Sequence, residues 1–252
     1  MKLGFLGVGH LAEALLKGLL RAGFDPSDIV LAPRGKGPAL AAEHGFGLAT
    51  DNAALVQACG IVLLATRPVD AAAAVRDLPW RMDQILISAC AGVPIGALSA
   101  AASEPRIVRI MPLTAAELGA SPTAVFPMVP ELAAFLGAIG TTIPLSSEGQ
   151  FEAATVSAAV YGWALALIRA GADWGSRNSL DPQTARALMA QTFVAAGRMQ
   201  GELDAPMDEI LASLLTPGGI TEAGLDHLMH HHVPEAWDGA CDLVLNKLRG
   251  HT

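Results

Sequence analysis

Charge is scarce in this chain. Asp, Glu, Lys and Arg make up only 16% of its 252 residues, and acids outnumber bases to give a formal net charge of −8. Affinity for a nucleic-acid duplex comes from Lys and Arg neutralising phosphates, so the acidic balance argues against nucleic acid as a partner, though not against local positive pockets. Aromatic residues are fewer still, at 5% with a single tyrosine, Tyr161. The three cysteines, Cys59, Cys90 and Cys241, form neither an even disulfide set nor a pair at metal-ligand spacing. Each reads as a small buried hydrophobe. No segment offers about 18 uninterrupted apolar residues, so no membrane span is expected. The apolar N-terminus carries Glu13 inside its run and no small-residue cleavage site, unlike a secretory signal. The expectation is a soluble, cytoplasmic protein.

What is abundant is apolar surface. At 52% it suffices for a sizeable core and for a further buried face such as a subunit interface. In the first half, short apolar runs alternate with helical stretches. Strands are expected at 2–7, 28–32, 60–65, 84–88 and 106–110, with weaker candidates at 123–126 and 141–145. Helices are expected at 11–22, 38–44 and 52–58, the last capped by Asp51. Alternation of this kind implies right-handed crossovers and a parallel sheet. Past residue 146 the pattern turns to long helices at 149–174, 181–200 and 233–249, with shorter ones between. The expected fold class is α/β: a doubly wound, mainly parallel N-terminal domain over 1–146, then an all-helical domain over 147–252.

The strongest motif is Gly7-Val8-Gly9-His10-Leu11-Ala12, a G-x-G-x-x-A placed directly after a strand and opening a helix. Gly7 allows the tight turn, Gly9 lets backbone approach a pyrophosphate, and Ala12 keeps the helix close to the sheet. The helix start then offers free N–H groups and a partial positive charge to phosphates. This is the fingerprint of a Rossmann dinucleotide-binding domain. An NAD enzyme places Asp or Glu after the second strand to bond the ribose 2′-OH. Here the segment is Ala32-Pro33-Arg34-Gly35-Lys36, with no acid. Arg34, with Lys36 as a second candidate, suits a 2′-phosphate, which favours NADP(H) over NAD(H).

Read in order, these residues resemble the pyrroline-5-carboxylate reductase family. Gly4 to Ala14 looks like the family's opening, with His10 in place of its usual Asn. Arg34 matches its Arg after the second strand, and Asp51-Asn52 the pair before its third helix. Leu64-Ala65-Thr66-Arg67-Pro68 resembles its stretch at the nicotinamide end. Ser88-Ala89-Cys90-Ala91-Gly92 and Arg109-Ile110-Met111-Pro112 are further matches, and Arg186 to Thr192 resembles its interface helix. Most specific is Thr216-Pro217-Gly218-Gly219-Ile220-Thr221, followed by Ala223-Gly224-Leu225, which looks like its substrate loop.

The resemblance implies a homodimer formed through the helical domain, and hydride transfer from NADPH to the C=N carbon of a cyclic imine. The cofactor supplies that chemistry and the protein supplies orientation and electrostatics. It also implies that Gly7, Gly9, His10, Leu11, Ala12, Arg34 and Asn52 hold the cofactor's phosphates and adenosine side. Ala65, Thr66, Arg67 and Pro68 would lie at the nicotinamide end, and Ala91 and Gly92 would also contact the cofactor. Thr221 sits at the family's hydroxyl position and is the catalytic candidate. Thr216, Gly218 and Gly219 would receive the substrate carboxylate through backbone N–H groups. The loop also reads as a helix N-cap, with Thr216 capping and Pro217 first in the helix.

The departures from the family concentrate around the substrate. Met111-Pro112-Leu113-Thr114-Ala115 loses the family's Asn and second Pro. Ser157-Ala158-Ala159-Val160-Tyr161 keeps only the first Ser of Ser-Gly-Ser-Gly-Pro, and Leu118-Gly119-Ala120-Ser121 loses an acid. Met111, Leu113 and Tyr161 then line a more apolar substrate pocket, which points to a changed imine. Tyr161 offers a replacement hydroxyl or interface packing. Two alternatives remain open: a 3-hydroxyacid-type dehydrogenase, whose Lys base has only Lys247 to fill it in that half, and a non-catalytic NADP(H)-binding protein. His227, His230, His231 and His232 place two imidazoles on one helical face, but without a Cys partner no metal site is expected.

Overall fold

The computed structural model describes residues 2–250. Its sheet has the order β3-β2-β1-β4-β5-β6-β7-β8. The strands are β1 (Leu3–Leu6), β2 (Ile29–Leu31), β3 (Gly47–Leu48), β4 (Ile61–Leu64), β5 (Ile85–Ser88), β6 (Arg106–Met111), β7 (Thr123–Phe126) and β8 (Thr142–Pro144). Pairing is parallel throughout except between β6 and β7. Helices α1 (His10–Arg21), α2 (Gly37–His44), α3 (Asn52–Ala58), α4 (Ala71–Val75), α5 (Ile95–Ser99), α6 (Ala133–Ile139) and α7 (Glu148–Thr155) accompany it. Reversal of strand order between β1 and β4 gives the doubly wound arrangement expected from the sequence, and ligands of such sheets bind at that reversal.

Strand residues go alternately to two cores, as a period of two requires. Phe5, Leu63, Ile87 and Val108 join α1 and α6 on one face. Leu6, Val62, Leu64 and Leu86 join α3 and Trp80 on the other. Two close approaches fix the layers. A side chain at Gly18 on α1 would stand 2.2 Å from the Ala116 carbonyl oxygen, so only glycine lets that helix meet the 114–118 turn. The wholly buried Gln84 donates to the Val56 and Cys59 carbonyls at 2.6 and 2.7 Å, satisfying the open C-terminus of α3.

The helical unit contains α8 (Ser157–Arg177), α9 (Pro182–Glu202), α10 (Met207–Ala212), α11 (Ile220–His230) and α12 (Val233–Leu248). Contacts divide the chain later than residue 146: the first unit runs to Ala158 and resumes at Leu245, and the second spans Ala159–Val244. The physical reason is α7, whose Phe151 is buried with Met111 of β6 and Ala124 of β7. The helical unit buries little within one chain. Ala185 and Ile210 are buried, while Leu165, Trp174, Leu188, Leu214 and Leu243 lie open. Residues 148–177 also form the one stretch among the described residues long and apolar enough to cross a membrane on composition, although Val156 breaks it into α7 and α8.

Candidate dinucleotide site and substrate loop

Gly7 ends β1 with φ +92°, and a side chain there would meet Thr66 Cγ2 at 2.8 Å and the Ala65 carbonyl carbon at 2.9 Å. The turn therefore demands glycine on both backbone and steric grounds. Gly9 is the N-cap of α1 and supplies no side chain to its N–H groups, and a Cβ there would point into open space. The first-turn amides thus stay available to an anion. Above them lies a cavity of about 800 Å3. Gly7, Gly9, Arg34, Asn52, Ala65, Thr66 and Arg67 are among the residues that line it. A neighbouring cavity of about 370 Å3 shares Arg34 and Asn52 with it and adds Asp51. Asp51 caps α3, accepting from the Ala54 N–H at 2.8 Å.

The two basic residues after β2 are in different states. Lys36 is ion-paired to Glu13, and Lys17 reaches the same carboxylate at 3.0 Å. The two ammonium groups hold Glu13 at a pKa of about 2. The Lys36 N–H also donates to the Val8 carbonyl at 2.9 Å, tying the β2–α2 loop to the glycine turn. Lys36, the second candidate for a 2′-phosphate, is therefore spent on Glu13. Arg34 is exposed at the cavity rim, with no side-chain partner among the described residues.

The other expected cofactor residues lie outside the cavity lining. His10 is exposed at the start of α1, Leu11 is half-buried and Ala12 is buried beneath. Pro68 opens a single 3-10 turn, and Arg67 just before it pairs with Asp70 at 2.7 Å. Ala91 and Gly92 follow β5. Gly92 has φ +70°, and a Cβ on it would come within 2.9 Å of the Leu248 carbonyl oxygen. Cys90 packs between, its thiol near the Thr66 carbonyl at 3.4 Å, and burial pushes its pKa up. Sequence reasoning passed over Asp70, Ala73 and Ala74, which also line the cavity. Their only signal is an alanine run beside a strand end.

Met111 and Leu113, expected at the substrate, are both buried in the first unit. Ser121, also buried, accepts from the Leu113 N–H at 2.8 Å. Tyr161 is half-buried on α8. In the substrate loop, Thr216 does not cap the helix. The cap of α11 is Gly219, without a side-chain bond, because Thr216–Gly219 closes first as a tight turn with Gly219 N–H donating to the Thr216 carbonyl at 2.7 Å. Pro217 consequently lies in that turn and outside α11. The Gly218 N–H is taken by Glu222 at 2.6 Å. Thr221 is exposed in the first turn of α11. Further along the helix the His227 and His231 rings lie 4.4 Å apart. Among the described residues no group of three or more His, Cys, Asp or Glu converges as a metal site.

Sheet order, glycine turn and the cavity over an uncapped helix start define the class: a Rossmann-type dinucleotide-binding domain followed by a helical unit. Comparison with known proteins narrows it. Residues 148–250 match the family model for pyrroline-5-carboxylate reductase dimerisation, and residues 2–92 match one described as NADP oxidoreductase, coenzyme F420-dependent. The chain is 30% identical over 241 residues to a pyrroline-5-carboxylate reductase of Methanosarcina acetivorans, covering 90% of this chain and 89% of the relative. It is also 30% identical to pyrroline-5-carboxylate reductase 2 of Bacillus subtilis, covering 93% and 89%. A crystal structure of Plasmodium falciparum pyrroline carboxylate reductase with NADP bound has a similar fold, with a TM-score of 0.88 at 23% identity and coverage of 100% and 98%. The chain belongs to the pyrroline-5-carboxylate reductase family.

Proposed function

We propose that this protein is an NADPH-dependent imine reductase acting on a cyclic imine to give proline or a related cyclic amine. One observation carries the reading: the uncapped N–H groups of α1 and the unpaired Arg34 face the same cavity. The first suits a pyrophosphate and the second a 2′-phosphate, so NADP(H) is favoured over NAD(H). Its relatives' names support the reductase chemistry, and the P. falciparum relative was crystallised with NADP. In this reading Thr221 supplies a hydroxyl near the imine nitrogen, and the substrate lies beside the Thr216–Gly219 turn; contrary to the expected carboxylate contact, the Gly218 and Gly219 N–H groups are taken by Glu222 and the Thr216 carbonyl. The nicotinamide lies between the 65–68 and 91–92 segments. A protonated imine is already electrophilic, so few ionisable side chains are needed. The dehydrogenase alternative needs a Lys base, and Lys247 lies exposed in the last turn of α12.

The open apolar faces of α8 and α9, together with the dimerisation match over 148–250, support a homodimer through the helical unit. They also account for the apolar 148–177 stretch without a membrane. A cytoplasmic enzyme of proline biosynthesis is the corresponding role. The test is loss of NADPH absorbance with a panel of five- and six-membered cyclic imines, carboxylated and not. Thr221→Ala is expected to lower turnover at least about a hundredfold, with the NADPH dissociation constant unchanged. Tight NADPH binding with no imine reduced would overturn the enzyme reading.

A further inference from the structure

Arg109 is the largest wholly buried side chain among the described residues, in a strand whose other buried residues, Ile107, Val108, Ile110 and Met111, are all apolar. One face of α7 forms its socket. Nη1 bonds Glu148 Oε1 at 2.8 Å and Glu152 Oε1 at 2.5 Å, and the guanidinium carbon lies 4.5 Å from the centroid of the Phe151 ring between them. Spacings of three and four place all three side chains on one stripe of the helix. The socket is incomplete: Arg109 Nε and Nη2 and Glu152 Oε2 are buried without partners. An arrangement that leaves buried polar atoms unpaired is costly, so its retention asks for a reason beyond packing.

The reason lies in what the socket holds. Glu148 Oε1, the atom bonded to Arg109, also accepts the Ile95 N–H at 2.7 Å. Ile95 opens α5 at the end of the segment that begins with Ala91 and Gly92. Ala91 packs against the small cluster of Met111, Ala124 and Phe151. One guanidinium therefore connects three pieces: the loop after β5, the end of β6 carrying Met111, and α7. We infer that Arg109 is a positioning residue that sets the 91–95 loop through Glu148. The inference rests on the reading above, in which that loop borders the nicotinamide. Reaction rate is sensitive to sub-ångström placement of the reacting carbon, so a loosened loop costs turnover more than binding.

Replacing Arg109 itself leaves the half-buried Glu148 and Glu152 without their shared cation and risks unfolding, so the informative variants are at Glu148. Glu148→Ala removes the shared acceptor but leaves Arg109 paired to Glu152. Glu148→Gln keeps an oxygen for the Ile95 N–H. With NADPH and the best imine of the panel, Glu148→Ala is expected to lower kcat about tenfold at a KM within about twofold of wild type. It should also speed deuterium exchange in residues 90–96, and Glu148→Gln should restore both. A Glu148→Ala protein with wild-type kcat and exchange overturns the inference. So does a Glu148→Gln protein as impaired as Glu148→Ala, since that would make the contact one of charge and stability alone. If the wild-type chain reduces no imine, the enzyme reading fails by itself. The inference is then judged by exchange of 90–96 with NADPH bound, and unchanged exchange in Glu148→Ala sinks it.

Discussion

In the first unit Leu63, on a central strand, has no exposed surface, whereas Leu188, on α9 of the helical unit, keeps 50% of its own. The same side chain thus contributes in two different currencies. Leu63 stabilises the folded chain directly, through two-sided burial in a parallel sheet. Leu188 contributes little until another surface covers it. A large open apolar face marks an interaction site, and residues 148–250 match a dimerisation family model, which fits the proposed homodimer. One unit thus buries its apolar residues within the chain, and the other leaves most of its own open.

The largest expected effect breaks this contrast if it is wrong. Leu63→Ala should destabilise by about 2–5 kcal/mol in urea unfolding. Leu188→Ala should change dilute-monomer stability by no more than about 0.5 kcal/mol yet raise the dimer dissociation constant, measured by sedimentation. Equal losses would mean that the helical unit has a core of its own. Next, Arg34→Ala should weaken NADPH by about 1.5–3 kcal/mol and leave NADH unchanged in a calorimetric titration. Equal weakening of both would remove Arg34 from the 2′-phosphate. Gly7→Ala places a side chain at φ +92° against Thr66. Strain of about 1–3 kcal/mol is expected, together with weaker NADPH and, by contrast with Leu188→Ala, an unchanged dimer.

The smallest effect concerns Glu13. Its pKa is depressed from 4.5 to about 2 by Lys36 and Lys17. A depressed carboxylate stabilises the fold above its ordinary pKa and loses that contribution as pH falls through the depressed value. Wild type should therefore melt slightly above Glu13→Gln at pH 5–8, and the gap should close between about pH 4.5 and 2. Because both lysine partners are exposed the gap is small, and a gap that widens toward acid would reverse the assignment.

Much of the first unit was legible in the sequence because its signals are local. Ile61–Leu64 and Ile85–Ser88 are uninterrupted aliphatic runs, and Asp51 caps α3 as its position predicted. Elements α4, α5 and α6 went unread. Five to seven residues, such as Ala71 to Val75, are too short to show a period, and tertiary packing decides them. The two-residue β3 has no pattern at all. In the site, the glycine turn was legible because its chemistry is backbone chemistry with fixed spacing. The pairing of Lys36 with Glu13 was not, since their sequence separation hides a contact made across the turn. Nor was the Arg109 socket, because Glu148 and Glu152 look like solvated helix residues until β6 is placed beneath them. The alternative of a Thr216 cap does not hold for a related reason. Thr-Pro is a good helix start in isolation, but two glycines after it favour closing a turn first.

The return of Leu245 to the first unit also orders events during synthesis. Gly92 rests against the backbone of Leu248, a residue made only after the whole helical unit has been translated. The sheet can form early on the ribosome, but its loop after β5 waits for late-arriving chain. A stalled or prematurely stopped product would carry a formed glycine turn beside a Gly92 that lacks its Leu248 contact. Such a fragment is expected to bind dinucleotide without being able to use it.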